Sequence, residues 1–372
     1  MKTLRLSLAI MLCLGVVSPL AALSASVKVN PDHSVFFRYE NPNASKVLLY
    51  LEGYSEIPMT KGEKGEWTVD TPPLEPNLYG YRFVVDGVSM IDPMNAATKP
   101  NLLFVENIVL ISGDSPMPWE VSNVPHGVLH RHHFHSDVIG DERDYYVYTP
   151  PNYDPRARRR YPVLYLLHGY SDNASAWSAV GQAHNILDNL IAQGKAKPMI
   201  VVMPLGYGTR AVIERGWAGL DDSEEWLRHM TAFRRSLLAE VIPQVERDYR
   251  VRSDRESRAI AGLSMGGAES LFTGLNYPDQ FGWIGAFSTG GLNRDFREYF
   301  PQAGPDLNKQ LRLLWVTCGR EDRLYARHND ILAFLQEKSV KAIGLQTPGE
   351  HTWMVWRKNL VDFAPLLFKD KR

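Results

Sequence analysis

The chain has 372 residues, 44% hydrophobic and 22% charged, which argues against a disordered chain, a collagen-like repeat or a polytopic membrane protein. Its 41 basic and 42 acidic residues nearly cancel, and no basic block occurs, which argues against electrostatic binding of nucleic acid. At about 150 residues per domain, this length predicts about two domains.

The first 24 residues have the pattern of a secretory signal peptide. Lys2 and Arg5 precede an apolar run over residues 6–17, and small residues follow at 21, 22, 24 and 25. An uncleaved membrane anchor is the alternative, although the run is short for a spanning helix. We therefore expect a periplasmic or secreted protein without stable membrane association. Cys13 would be removed and Cys318 would remain alone, so no internal disulfide is expected.

Residues 26–112 have the period-two pattern and the punctuation of short β-strands. Alternate residues of 79–85 share one apolar face, and Asp86-Gly87 then supplies a hairpin turn with positive φ. The segment predicts a small β-sandwich, with strands at 35–39, 47–51, 67–69 and 79–85. Residues 113–125 contain Gly, Pro and Ser and are predicted to form a linker.

Residues 78–95 contain the motifs Tyr-Gly-Tyr-Arg-Phe, Val-Asp-Gly and Asp-Pro-Met-Asn. In these motifs the segment resembles the immunoglobulin-like early-set modules that are classed with glycogen-type carbohydrate-binding domains. The resemblance implies a separately folding support or targeting domain, which we expect to supply no catalytic groups. Whether it binds sugar stays open, because Trp67 is its only tryptophan and its tyrosines alternate as core residues would.

From residue 126 to 372, near-continuous apolar strands alternate with longer helical patterns. This alternation is typical of a mostly parallel sheet buried on both faces, and it predicts an α/β fold. The predicted strands are 145–148, 163–167, 199–203, 259–261, 283–287 and 313–317. Helical stripes occur at 186–191 and 233–245, and Pro243 is expected to kink the second helix.

The strongest local motif is Gly-x-Ser-x-Gly at residues 262–266, between an apolar strand and a helix-compatible stretch. A sharp strand-to-helix turn holds its serine in strained backbone angles, and the small Gly262 and Gly266 let the turn close. Ser264 is therefore predicted to be a nucleophile exposed on this turn. The alternative is a glycine-rich turn without a catalytic role.

A nucleophilic serine needs an imidazole to take its proton and an acid to orient that imidazole. In α/β-hydrolases the order along the chain is Ser, then Asp or Glu, then His. Only His328 and His351 follow Ser264; His351 lies in a late loop and is the better base, whereas His328 is expected at the surface. Asp322 follows a predicted strand and is the candidate acid. The rival acids are Glu321 and Asp330.

The oxyanion of an acyl-transfer reaction needs backbone N–H donors. One donor is expected from Met265, the residue after the nucleophile, and a second from the loop after an early strand. That loop is residues 166–171, and Tyr170 N–H is the candidate within it. His168 precedes the serine in the chain, so we interpret it as a structural histidine that supports the loop.

Four stretches, at 161–169, 197–204, 262–267 and 349–353, resemble the esterase family of α/β-hydrolases. That family includes the feruloyl and acetylxylan esterases of carbohydrate esterase family 1, siderophore esterases and mycolyltransferases. The resemblance covers about residues 126–370 and implies an α/β-hydrolase fold, a Ser-His-Asp triad and no cofactor. The acid of such relatives follows a Gly-x-x-Asp-x-Leu pattern, matched at 319–324, which supports Asp322. At 170–172, Tyr-Ser-Asp stands where many relatives have a glycine-rich loop.

Five histidines cluster where this second region begins: His126, His130, His132, His133 and His135. Alternating histidines on a strand could bind a metal, but no Cys, Asp or Glu interrupts the cluster. We therefore expect an edge strand with an exposed polar face and no metal.

Aromatic side chains lie in or beside loops at the predicted carboxyl edge of the sheet, where ligands bind. As a set they predict an apolar cleft that could stack on a sugar or an aryl acyl group. The substrate-binding candidates are Trp353, Trp177, Trp217 and Tyr207, and the same loops contain Tyr170 and Trp226.

The sequence thus predicts an exported serine esterase of two domains that acts through Ser264, His351 and Asp322. The expected substrate is a hydroxycinnamoyl (feruloyl) ester on plant polysaccharide or oligosaccharide. Acetylxylan ester hydrolysis, siderophore ester hydrolysis and acyl transfer are alternatives within the family. A carbohydrate-binding protein with a vestigial hydrolase domain is the non-enzymatic alternative.

Overall fold

The structure is a computed structural model that describes residues 25–220 and 222–369. The predicted signal peptide, residues 1–24, lies outside the described residues, so both it and export stay predictions. Among the described residues, no helix is both long enough and apolar enough to cross a bilayer.

The N-terminal region is formed from short antiparallel strands. They are β1 (Val27–Val29), β2 (Val35–Glu40), β3 (Val47–Leu51), β4 (Ile57–Pro58), β5 (Thr60–Lys61), β6 (Glu66–Asp70), β7 (Asn77–Val85), β8 (Val88–Met90), β9 (Thr98–Lys99) and β10 (Glu106–Ile111). One sheet has the order β1-β2-β6-β5, and the other has the order β4-β3-β7-β10-β9, with β8 paired to β7. The four strands expected from the sequence are all present.

Alternate residues of facing strands form the core between the two sheets. Phe37 of β2 and Tyr81 of β7 are fully buried, and their rings meet edge to face at 4.9 Å. Asp86 and Gly87 both have positive φ, 48° and 87°, and they join β7 to β8. The predicted sandwich and its hairpin turn are therefore confirmed.

The C-terminal region contains one sheet of eight strands. They are β11 (Val128–Ser136), β12 (Asp141–Thr149), β13 (Val163–Leu167), β14 (Ile200–Pro204), β15 (Arg258–Leu263), β16 (Trp283–Phe287), β17 (Leu313–Gly319) and β18 (Ile343–Thr347). Their order is β11-β12-β14-β13-β15-β16-β17-β18, and the strands from β14 onward run parallel. β11 and β12 pair antiparallel and place the histidine-rich β11 at the sheet edge, as expected.

Helices cover both faces of this sheet. They are α1 (Ala176–Ala179), α2 (Ala183–Ala192), α3 (Ala211–Glu214), α4 (Ser223–Ser236), α5 (Ile242–Asp248), α6 (Met265–Asn276), α7 (Phe296–Tyr299), α8 (Leu307–Gln310), α9 (Tyr325–Glu337) and α10 (Trp353–Phe363). Along β13, Tyr165 belongs to one apolar core and Leu164 and Leu166 to the other. A strand buried on both faces needs apolar residues at every position, which confirms the predicted parallel α/β fold.

Two expectations about connecting segments are refined by the structure. The helical pattern interrupted near Pro243 becomes α4, a π-helical turn at Leu237–Val241 and α5, with Pro243 in the first turn of α5. Proline lacks an N–H for the helix ladder, so a changed hydrogen-bond pattern beside Pro243 is expected, and the chain stays helical through it. The predicted linker packs against α2, where Asn189 Nδ2 donates hydrogen bonds to the carbonyl oxygens of Pro118 and Glu120, each at 2.9 Å.

Candidate active site

Ser264 occupies the tight turn between β15 and α6. Its backbone has φ 51° and ψ −112°, a strained conformation for a residue that carries a Cβ. The turn is also crowded: a Cβ on Gly262 would lie 2.5 Å from the Gly266 carbonyl oxygen, and one on Gly266 would lie 2.6 Å from Leu167 O. Larger residues at these two positions would therefore force the turn open.

The structure brings the three predicted triad residues into one chain of hydrogen bonds. His351 Nε2 lies 3.0 Å from Ser264 Oγ, and His351 Nδ1 lies 2.8 Å from Asp322 Oδ2. A carboxylate can only accept, so Nδ1 carries the proton and donates it to Asp322. Nε2 is then the acceptor for the Ser264 hydroxyl. Ser264 follows β15, Asp322 follows β17 and His351 follows β18, so all three lie beyond carboxyl ends of parallel strands.

Asp322 is buried, and its surroundings favour the charged form. Burial alone would raise the pKa of this carboxyl group, but the hydrogen bond from His351 and the one from Leu324 N–H (2.8 Å) outweigh that effect. The pKa of Asp322 is therefore held below its ordinary value. A carboxylate that stays charged can orient His351 and stabilise the imidazolium.

The rival residues have other positions. His328 is not on the surface, as the sequence led us to expect, but is 1% exposed, because α9 packs this face of its first turns against the core. Glu321 lies at the rim of the cleft, where its Oε2 accepts a hydrogen bond from Gly349 N–H. Asp330 is an exposed residue of α9 near Arg327. Among the described residues, the hydrogen bonds of His351 and of Ser264 Oγ involve none of these three.

The loop after β13 lies against the nucleophile. A Cβ on Gly169 would be 3.5 Å from Ser264 Cβ, and Tyr170 follows directly. Met265 is the first residue of α6, where backbone N–H groups have no partner within the helix. The two candidate oxyanion donors thus belong to segments that flank Ser264.

His168 supports this loop, as the sequence predicted. Its Nδ1 donates to Gly169 O (2.8 Å), and its Nε2 accepts from Gly206 N–H (2.8 Å), so both ring nitrogens are used. Burial lowers the pKa of His168 to about 4, which keeps the imidazole neutral. The side chain ties the loop after β13 to the loop after β14.

A cleft of about 1020 Å³ opens at Ser264 and His351. Trp217 is 52% exposed and lines the cleft, with its ring 5.4 Å from that of Tyr170 and 6.3 Å from that of Phe104. Trp353 also lines it, although most of its ring is buried against Trp177. The wall beside Ser264 and His351 therefore contains aromatic rings, and their contact with a substrate stays a prediction.

Two of the substrate-binding candidates do not line this cleft, and the expectation is corrected for them. Trp177 is fully buried, and its Nε1 donates to Leu167 O at 2.8 Å. Tyr207 is also buried, and its hydroxyl donates to Asp172 O at 3.1 Å. Trp177 therefore packs at the end of β13 and Tyr207 against the loop that follows it, and each donates its polar hydrogen to that backbone.

The N-terminal region forms the opposite wall of the same cleft, which the sequence did not indicate. Glu52 Oε1 accepts a hydrogen bond from Trp353 N–H at the start of α10, at 3.1 Å. Asn101 and Phe104 contact the loop after β13 and Trp217, respectively. No short motif distinguishes these residues from ordinary turn residues, so only the docked structure reveals them. The N-terminal residues that line the cleft are Tyr50, Glu52, Gly53, Tyr54, Arg82, Ser89, Lys99, Asn101, Phe104 and Glu106.

Histidines of the cluster at 126–135 make individual polar contacts with residues distant in the chain. His126 Nδ1 lies 3.0 Å from Asp188 Oδ2, and His132 Nε2 lies 2.5 Å from Tyr249 OH. Within residues 25–220 and 222–369, no group of three or more His, Cys, Asp or Glu side chains could hold a metal ion.

Comparison with known proteins gives a consistent set of relatives. Residues 136–367 match the protein family described as "Putative esterase". The chain is 32% identical over 348 residues to an endo-1,4-beta-xylanase/feruloyl esterase of Xylanibacter ruminicola, covering 92% of this chain and 46% of that protein. It is 24% identical over 235 residues to an acetyl esterase of Caldicellulosiruptor saccharolyticus, covering 54% of this chain and 80% of that protein. The chain thus spans about half the length of the first of these relatives.

Solved structures share the fold. The ferulic acid esterase AmCE1/Fae1A of Anaeromyces mucronatus superposes with a TM-score of 0.58 at 23% identity, over 67% of this chain and 93% of that one. The enterobactin esterase FES of Shigella flexneri superposes with a TM-score of 0.64 at 16% identity, over 89% of this chain and 92% of that one. The second superposition extends well beyond the length of the C-terminal region alone.

Proposed function

Because residues 136–367 match its pattern, the chain belongs to the "Putative esterase" family, and we propose that it hydrolyses carboxylic esters with Ser264 as the nucleophile. The observation that carries the proposal is the hydrogen-bonded chain from Ser264 Oγ through His351 to Asp322. A serine on a strained turn, a base and an orienting acid are the parts that nucleophilic acyl transfer needs.

In the first half of the reaction, Ser264 Oγ attacks the carbonyl carbon of the ester while His351 Nε2 takes the hydroxyl proton. The carbonyl oxygen becomes an oxyanion, to which Met265 N–H and Tyr170 N–H donate hydrogen bonds. His351 then returns the proton to the departing alcohol oxygen as the tetrahedral intermediate collapses. The products of this half are the free alcohol and an acyl group on Ser264.

In the second half, His351 takes a proton from a water molecule, and the resulting hydroxide attacks the acyl carbon. Collapse of the second tetrahedral intermediate returns the proton to Ser264 Oγ and releases the acid. Asp322 keeps its charge throughout and stabilises the imidazolium formed in each half. Every proton moves through His351 Nε2.

We propose that the acyl group is hydroxycinnamoyl, such as feruloyl, carried on a plant polysaccharide or an oligosaccharide derived from it. The aromatic wall of the cleft, where the Trp217 ring contacts those of Tyr170 and Phe104, supports a planar aromatic acyl group. The name of the Xylanibacter ruminicola relative, endo-1,4-beta-xylanase/feruloyl esterase, supports the same substrate class.

The test compares kcat/KM for methyl ferulate, feruloylated xylo-oligosaccharide, acetylated xylo-oligosaccharide and a catecholate siderophore ester, with Ser264→Ala as the inactive control. We expect the two feruloyl esters to be the best substrates. A clear preference for the acetyl or siderophore ester would overturn the acyl assignment but not the chemistry. Inactivity on every ester, with retained binding to xylan, would favour a carbohydrate-binding protein instead.

Hydrolysis and acyl transfer are separated by the products. With methyl ferulate and an excess of xylo-oligosaccharide, hydrolysis yields free ferulate, whereas transfer yields a feruloylated sugar. We expect ferulate as the main product, measured by chromatography.

A further inference from the structure

A short segment of the N-terminal region, Lys99 to Phe104, forms hydrogen bonds with the loop that follows β13. Leu102 N–H donates to Ser171 O at 2.7 Å. Asn101 Nδ2 donates to Ser171 Oγ at 2.9 Å and to Asp172 Oδ1 at 3.2 Å. Both recipients are buried, and Tyr170, the proposed oxyanion donor, immediately precedes them.

Ser171, which accepts two of these hydrogen bonds, has a backbone conformation that needs contacts from outside its own loop. Ser171 has φ 70°, in the left-handed region that residues with a Cβ rarely occupy. Such strain persists only where surrounding contacts over-determine the backbone. Two hydrogen bonds to Ser171, one to its carbonyl oxygen and one to its hydroxyl, come from Leu102 and Asn101, and Asn101 makes a third to the next residue, Asp172.

The segment Lys99 to Phe104 is itself fixed by hydrogen bonds and ion pairs. Asn101 Oδ1 accepts hydrogen bonds from Leu103 N–H (3.0 Å) and Phe104 N–H (3.2 Å), which closes a tight turn. At its start, the buried Lys99 Nζ lies 2.9 Å from Glu106 Oε2 and 3.8 Å from Glu52 Oε2. The turn is therefore anchored to strands of the sandwich rather than free in a loop.

We propose that Asn101 is a positioning residue for the esterase reaction: its side chain holds the loop after β13 so that Tyr170 N–H is aimed at the developing oxyanion. This inference rests on the proposed function. The N-terminal region would then complete the reacting geometry without touching the substrate carbonyl. A small displacement of an oxyanion donor costs rate and leaves ground-state binding nearly unchanged.

The test uses Asn101→Asp in the full chain. Aspartate keeps the oxygen that closes the turn, but it removes the donor to Ser171 and places a carboxylate beside Asp172. Asn41→Asp is the matched control, because Asn41 Oδ1 closes the same kind of turn with Asn43 N–H (3.2 Å) and Ala44 N–H (3.1 Å) elsewhere in the sandwich. Ser171→Ala is the second variant and removes only the acceptor hydroxyl.

For Asn101→Asp we expect kcat on methyl ferulate to fall about 10- to 100-fold with KM within about twofold. The inhibition constant of an aryl boronic acid, whose tetrahedral adduct uses the same donors, should rise by the same factor. Asn41→Asp should match the wild type in both. Ser171→Ala should lower kcat by a smaller factor, and it should add little when combined with Asn101→Ala, since both remove the same hydrogen bond.

An active wild type with Asn101→Asp indistinguishable from Asn41→Asp would overturn this inference alone. So would a loss confined to KM, or additive effects of Asn101→Ala and Ser171→Ala. A wild type inactive on all esters would instead remove the proposed function on which the inference rests. If Asn101→Asp did not fold, Ser171→Ala alone would decide, because it leaves the turn of residues 101–104 and the charges intact, and an unchanged kcat for Ser171→Ala would overturn the inference.

Discussion

The two walls of the cleft are built in different ways. On the C-terminal wall, the reacting side chains follow strands of a parallel ladder, so regular backbone hydrogen bonds fix their positions. On the N-terminal wall, side chains from an antiparallel sandwich reach across the boundary and form individual polar contacts, such as those of Glu52 and Asn101. The first wall carries the proposed triad, and the second carries buried charges and the aromatic rings of Tyr50, Tyr54 and Phe104. Under the proposed function, the C-terminal region would supply the reacting groups and the N-terminal region would help to position them.

The largest effect is expected on the C-terminal wall. Replacing Ser264 or His351 with Ala should lower kcat by about 10⁶-fold, because triad residues act as one unit. Asp322→Asn should cost less, about 10⁴-fold, since the base remains but prefers the wrong tautomer. Steady-state kinetics on an aryl ester, with circular dichroism to verify folding, measure both. An inactive His328→Ala beside an active His351→Ala would show that the base assignment is wrong.

On the N-terminal wall, the largest expected effect is on stability. Glu52→Ala removes the acceptor of Trp353 N–H and Gly80 N–H and one carboxylate near the buried Lys99, so we expect a loss of about 3 kcal/mol in unfolding free energy. Glu52→Gln keeps an acceptor oxygen and should cost less. Urea unfolding measures both.

Glu40→Ala is the matched surface control. Its carboxylate is 70% exposed and pairs with Arg38 at 2.7 Å, so the variant should change the unfolding free energy by at most about 1 kcal/mol. Equal losses of unfolding free energy for Glu40→Ala and Glu52→Ala would mean that the contacts of Glu52 at the boundary stabilise the protein no more than a surface ion pair does.

The two walls meet in the aromatic pair of Phe104 and Trp217, which tests substrate preference. Phe104→Leu and Trp217→Leu should each lower kcat/KM for methyl ferulate by about 5- to 10-fold. Each removes one ring of the aromatic pair, and the stacking of that ring on the feruloyl group would be worth about 1 kcal/mol. The acetyl ester is the internal control and should change little, since it has no ring to stack. A parallel loss on both esters would place these rings outside the acyl subsite.

The smallest expected effect is on the pH dependence of stability. It concerns Asp172, whose Oδ1 accepts a hydrogen bond from Asn101 of the opposite wall. Burial raises the pKa of Asp172 to about 7, only partly offset by Lys99. Between about pH 4 and pH 7 the folded protein therefore holds a proton that the unfolded chain releases, so this group lowers stability as the pH rises. Asp172→Asn removes the effect: its Tm relative to wild type should climb across this range, on the order of 2–4 °C. A difference in Tm that stays constant with pH would contradict the assignment.

The sequence by itself determined the fold class and proposed the triad residues that the structure brings within hydrogen-bond distance, because both depend on local patterns. Apolar strands without alternation specify burial on both faces, and residues 262–266 specify a turn that only small neighbours allow. The order of Ser264, Asp322 and His351 then follows from the order of parallel strands whose carboxyl ends meet. His328 shows the limit of such reasoning, since a histidine among charged residues was expected at the surface and lies in the core.

Only the tertiary structure decided which aromatic rings line the cleft and what the N-terminal region does there. Trp177 and Trp217 both lie in loops near the same sheet edge, yet one is fully buried and the other 52% exposed, because burial depends on what packs against each ring. Likewise, Asn101 and Ser171 are 70 residues apart, and no local pattern indicates that they meet. Contacts between the two regions depend on how their surfaces pack together, and the residue periodicity within either region does not contain that information.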